Sequence, residues 1–143
     1  RKLELMNGQY IIPSICYENI FFDKIINKKN YQSNLIVNIT NDAWFGKYQG
    51  PQQHFYHSIM RAVELNKYLI RVSNNGISAI INPQGKILYS TTLNKRQISK
   101  FSLNLYNNKN YTYFKHKYNI FYLYLVILLI VCFTFQFFIR NEK

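Results

Sequence analysis

The end of the chain constrains its fold most. From Ile120 to Ile139 the sequence IFYLYLVILLIVCFTFQFFI runs 20 residues without a charge. As a helix it spans about 30 Å, the hydrocarbon thickness of a bilayer. A small domain has too little surface to cover such a helix on every side. Tyr118, Tyr122 and Tyr124 gather at its start and Arg140 and Lys143 follow it, as interfacial residues do. The segment reads as a transmembrane helix over 120–139 with a tail at 140–143, and its C-terminal place sets it apart from a signal peptide. Lys109, Lys115 and Lys117 precede it, so both flanks are basic and charge alone does not orient it.

The residues before the span alternate between strand and helix patterns. YIIPSICY reads as a short buried strand. NIFFDKIINKK is amphipathic at helical spacing, with Ile20, Phe21 and Ile25 on one side and Lys24 and Lys28 on another. NLIVNIT is a second strand, and NDAWFGKYQGPQQ, with its glycines and proline, a loop. HFYHSIMRAVELNK is a second helix with Phe55, Ile59, Ala62, Val63 and Leu65 facing one way. YLIRVS is a third strand, NNG a tight turn, ISAIINPQGKILYST a hairpin turning at Asn82–Gly85, and ISKFSLNLY a last strand. Strands separated by helices predict an α/β fold with helices on a sheet face. The organisation predicted is an α/β domain over 1–108, a polar linker at 109–119, and the span.

Composition narrows the function classes. Apolar residues make up 48% of the chain, too many for a disordered segment. The net charge is +12, yet the lysines are scattered and form no dense stripe for nucleic acid. Lys, Asn, Ile and Tyr share AT-rich codons, and compositional drift accounts for the charge, so nucleic acid is not an expected partner. Two cysteines, Cys16 and Cys132, make no disulfide framework. His54 and His57 lie three apart without cysteines nearby and read as packed or solvated side chains; no metal or cofactor is expected.

Cys16 stands where a strand gives way to a helix. Such turns present nucleophiles in several hydrolase folds. Unpaired N–H groups at a helix start favour the thiolate and can hold an oxyanion during acyl transfer. The position equally suits a small buried core residue, and position alone leaves both open. Glu18, two residues on, suits either first-turn charge or the orientation of a neighbour. Trp44, the only tryptophan, sits in a Gly-flanked loop and suits either a core cap or an apolar binding surface.

Taken in order, ICYENIF, NITNDAWFG, GPQQHF, MRAVELNKYLIRVSNNG and INPQGKI, followed by a membrane span, closely resemble the C-terminal half of the bacterial apolipoprotein N-acyltransferases. These are membrane members of the nitrilase superfamily, and the resemblance covers about residues 5–139. It implies part of an αββα sandwich facing the periplasm, in a multi-pass protein of the inner membrane, with a Glu–Lys–Cys triad. It implies a ping-pong reaction in which the thiolate takes a fatty acyl chain from a phospholipid. The chain then passes to the α-amino group of an apolipoprotein's lipidated N-terminal Cys. Cys16 matches the nucleophile, and Tyr17 the residue whose backbone N–H helps hold the oxyanion. Glu18 matches a required position beside the nucleophile, and Trp44 a loop residue near the lipid entrance. Asn75 and Gly76 match the turn that abuts the site in the wider superfamily.

The family's Glu and Lys lie upstream of the cysteine, and Glu4 and Lys2 are too close to Cys16 to stand in for them. The chain is therefore expected to act only with a missing N-terminal portion of the same enzyme. The alternatives are a membrane-anchored amidase of the same superfamily and a non-catalytic remnant.

Overall fold

The computed structural model describes residues 2–5, 9–21, 25–27, 30–46, 48–105 and 112–141, with the side chains of 119–136 in the last stretch. The β-branched stretches become strands and register with one another. β1 (Leu3–Glu4), β2 (Tyr10–Ile15), β3 (Leu35–Asn41), β4 (Tyr68–Asn74), β5 (Ala79–Ile81) and β6 (Ile87–Ser90) form one sheet in sequence order. β2, β3 and β4 run parallel; β1, β5 and β6 add antiparallel edges. The central register aligns Ser14 with Asn38 and Asn38 with Arg71, and Ile15 with Ile39 and Ile39 with Val72. All three parallel strands thus deliver their carboxyl ends to one edge.

Helix α1 (Gly50–Leu65) covers one face. Pro51 sits in its first turn, where a missing N–H costs nothing. The region read as loop is therefore shorter than expected: Asp42–Phe45 forms a 3-10 turn and α1 begins at Gly50. The inward stripe is Pro51, His54, Phe55, Ser58, Arg61, Ala62 and Leu65, a three–four spacing. The expected stripe shared only Phe55, Ala62 and Leu65. Val63 is exposed, because polar His54, Ser58 and Arg61 take inward places that the apolar pattern gave to others. Asn66 ends the helix in the left-handed region at φ 51°, and the Lys67 N–H reaches back to Ala62 O. Lys67 is buried, its Nζ donating to the carbonyls of Tyr31 and Ser33, and burial pushes its pKa down to about 7.

Ile12, Ile36, Leu69, Ile81, Phe55, Ala62 and Leu65 make the core between sheet and helix. Truncating one such residue, Leu65→Ala, costs about 3 kcal/mol by the usual sum of transfer and cavity terms. The opposite sheet face is apolar but open at its carboxyl end: Ile15, Ile39 and Val72 stand side by side, each more than half exposed.

The hairpin turn falls at Asn82–Gly85, with Asn82 Oδ1 accepting from Gln84 N and Lys86 N. Residues 98–105, the described part of the stretch 98–106 read as a last strand, pair with no strand. They are held by side chains instead: Ser99 donates to Tyr89 Oη at 2.6 Å and Phe101 packs on the Tyr89 ring. After Ile15, Cys16–Ile20 forms a 3-10 turn, which takes up Asn19 and Ile20 from the helix expected over 19–29; residues 22–24 and 28–29 of that stretch lie outside the described residues, and Ile25 and Ile26 are buried.

A second compact unit, Tyr111–Lys143, follows Arg1–Asn110. It holds α2 (Thr112–Asn141), whose stretch Asn119–Gln136 is long and apolar enough to cross a membrane and is wholly unburied.

Candidate active site

The site is assembled at the carboxyl edge of the parallel strands. β2 ends at Ile15, and the next residue, Cys16, takes φ 48°, in the left-handed region that β-carbons disfavour. Such a conformation is held only where surroundings enforce it. Two contacts do so. Glu18 folds back so that its carboxylate accepts the Ile15 N–H at 2.9 Å, closing the turn from one side. Asn38 Nδ2 donates to Cys16 O at 3.3 Å, and also to Ser14 O and Ser14 Oγ, closing it from the other.

The Cys16 side chain is partly exposed. Its Sγ lies 3.5 Å from Thr40 Oγ1. That hydroxyl does most to hold the thiol below its ordinary pKa; partial burial opposes it, the backbone N–H groups of Asn41 and Tyr17 reinforce it, and the Asp42 charge works against it. Donors converge on this sulfur from the two neighbouring segments, β3 and the turn after β2. Such an environment stabilises a thiolate and is suited to nucleophilic chemistry.

Beneath the sulfur lies a buried polar cluster that the apolar pattern of the sequence did not predict. Arg71 Nη2 contacts both Asp42 oxygens, at 2.8 and 2.7 Å, with both side chains fully buried. Its Nη1 donates to Asn38 Oδ1 and Ser58 Oγ, and its Nε to Ile77 O. His54 Nδ1 lies 2.8 Å from Asp42 Oδ1 and, carrying its proton there, donates to it. Asn19 Nδ2 donates to Ser58 Oγ. Burial pushes the Asp42 carboxyl up, but His54 and Arg71 outweigh it and bring its pKa down to about 2. Thr40 Oγ1 joins this cluster to the sulfur, lying 3.2 Å from Asp42 Oδ1. The signal for it was present in β3 and the residue after it: Asn38, Thr40 and Asp42 recur every second residue, a polar face where an apolar one was expected.

The other residues singled out from the sequence fall around this centre. The Tyr17 ring stacks on Phe45 at 6.2 Å and meets Phe21 and His54. Trp44 is 82% exposed in the turn after β3 and caps no core. Asn75 stands at φ 61° in the turn after β4. Gly76 is pressed against Asp42 Oδ2 and Ser73 Oγ, so that a β-carbon would overlap both. Burial, and after it the charge of Arg61, pushes the His57 pKa below the ordinary value. Among the described residues no group of three His, Cys, Asp or Glu side chains could hold a metal ion.

With a sheet of parallel strands, a strained cysteine at a strand tip and a buried ion pair behind it, the class is defined. Residues 7–110 match the carbon–nitrogen hydrolase family, and the chain belongs to it. Two solved structures share the fold: a CN-hydrolase superfamily protein of Xanthomonas campestris and Nit3 of Saccharomyces cerevisiae, a nitrilase-superfamily member. Each is 18% identical with a TM-score of 0.54, covering 67% of this chain and 41% and 38% of those chains.

Within the family, the more particular likeness is to proteins named apolipoprotein N-acyltransferase. That of Rickettsia bellii is 51% identical over 85 residues, 59% of this chain and 17% of the relative. That of Allorhizobium ampelinum is 42% identical over 103 residues, 72% of this chain and 19% of the relative. The chain thus spans about a fifth or less of the length of these curated relatives.

Proposed function

We propose that this chain carries the nucleophilic part of an apolipoprotein N-acyltransferase. The observation that carries the reading is Cys16 itself: a left-handed residue at a strand tip, its sulfur partly open to solvent and met by Thr40 and by the N–H groups of Asn41 and Tyr17. The Cys16 thiolate attacks the ester carbonyl of a phospholipid. A C–S bond forms, the ester C–O bond breaks, and the departing lysophospholipid oxygen takes a proton. The amino group of the acceptor apolipoprotein then attacks the thioester, a C–N bond forms, the C–S bond breaks, and the thiolate returns as the amine's proton passes to a base.

In this reading the Tyr17 N–H faces the charge that develops on the carbonyl oxygen, and Glu18 fixes the turn that aims it. Trp44 offers an exposed apolar surface for an acyl chain. Asn75 and Gly76 close the site from the β4 side. The proton acceptor and the lysine come from a further portion of the enzyme that packs on the open face marked by Ile15, Ile39 and Val72. Helix α2 anchors the chain in the bacterial inner membrane, which holds the donor lipid; the site works on the periplasmic side.

The test is covalent trapping. Membranes containing this chain together with the rest of the enzyme, given phospholipid with a labelled acyl group, form a hydroxylamine-labile adduct on Cys16. Cys16→Ala abolishes it. Equal labelling of Cys16→Ala sinks the assignment, and amide hydrolysis independent of phospholipid points to a membrane-anchored amidase instead.

A further inference from the structure

Thr40 has one hydroxyl proton and two acceptors. Its Oγ1 lies 3.5 Å from Cys16 Sγ and 3.2 Å from Asp42 Oδ1. It is nearly fully buried, so water does not compete freely for that proton. Asp42 does not depend on it: the carboxylate keeps Arg71 Nη2 on both oxygens and His54 Nδ1 on Oδ1 whichever way the hydroxyl turns. The sulfur, by contrast, alternates between charged and neutral in any reaction through a thioester.

We propose that Thr40 is a positioning residue whose hydroxyl turns with the charge on Cys16, donating to the thiolate and swinging to Asp42 Oδ1 when the sulfur is protonated or acylated. No covalent bond is made or broken at Thr40. The hydroxyl proton stays on Oγ1 and only its direction changes. In the thiol state the S–H can itself donate to Oγ1 while Oγ1–H donates to Asp42, a chain of bonds running one way. On loss of the thiol proton to the base, the hydroxyl reverses and supports the anion. On acylation the sulfur becomes a poor acceptor and the hydroxyl returns to the carboxylate. The anchored Asp42 is what makes this reversible, because Arg71 and His54 hold it still. This rests on the acyltransfer reading for the acylated state, but its physical content is the charge on the sulfur.

The test needs no lipid. The full chain in detergent, with Cys132→Ser to remove the second thiol, is alkylated with iodoacetamide across a pH series, and the adduct on Cys16 is followed by mass. Thr40→Ala and Thr40→Ser both lose the methyl group and differ only in the hydroxyl. Thr40→Ala is expected to slow alkylation at pH 7 about three- to tenfold and to move the rate profile to higher pH; Thr40→Ser keeps the parent profile. Should Thr40→Ala misfold, Thr40→Val replaces it, preserving volume without the hydroxyl. Coincident profiles for folded Thr40→Ala or Thr40→Val and the parent overturn the proposal, as does a parent Cys16 that resists alkylation at every pH. A Cys16 that alkylates as described but never carries an acyl chain in membranes sinks the acyltransferase assignment and leaves the hydroxyl's role standing.

Discussion

At Cys16 the backbone and the side chain make opposite demands. The left-handed φ of 48° goes with a partly exposed sulfur lying beside Thr40 Oγ1, at an energetic cost of about 1 kcal/mol for any residue with a β-carbon. A glycine would relieve that cost, whereas alanine would remove the thiol and keep the strain. Cys16→Gly is therefore expected to melt above Cys16→Ala by an amount worth about 1 kcal/mol, read from thermal unfolding of the full chain in detergent. Equal melting of the two would mean that the turn is not strained. Gly76 is the counterpart across the site. There the demand is for space, since Asp42 and Ser73 occupy the volume a β-carbon needs.

Among the elements, Asp42 is the meeting point: it follows β3, pairs with Arg71 of β4 and accepts from His54 of α1. Its pKa is lower folded, about 2, than the ordinary 3.8, so the unfolded chain takes up a proton first as pH falls. The stability it contributes is complete above pH 3.8 and is lost as pH drops toward 2, in total about 2 kcal/mol. Chemical unfolding between pH 5 and pH 2 should show that loss. Asp42→Asn should remove the dependence but start less stable, because Arg71 is left buried without its counter-charge. The strand and helix periods made β2, β3, β4, the hairpin and α1 legible in the sequence, since burial of apolar faces sets those periods. The cluster was legible only in part. The alternation of Asn38, Thr40 and Asp42 marks a polar face, but their partners Arg71 and Ser58 lie on segments far apart in sequence, and no local pattern ties those to it. Residues 98–105 misled for the reverse reason: their alternation suits a strand, but side-chain contacts of Ser99 and Phe101 to Tyr89 hold them instead.

Over residues 2–105, the open row of Ile15, Ile39 and Val72 is an exposed apolar patch of the kind that marks an interaction surface. We expect the full chain in detergent to self-associate through that face. Ile39→Lys should shift it toward the smaller species in sedimentation, while changing stability by no more than about 0.5 kcal/mol, as exposed substitutions do. Unchanged association would place the sticky surface elsewhere. The parallel pairing of β2, β3 and β4 carries one more consequence. Residues 16, 40 and 71 come together only after two long crossovers have closed, and such distant pairings are slow to form. An activated sulfur is thus a property the nascent polypeptide lacks until its last central strand has docked, so the rate at which a thiol reagent gains its full reactivity would time the assembly of the sheet.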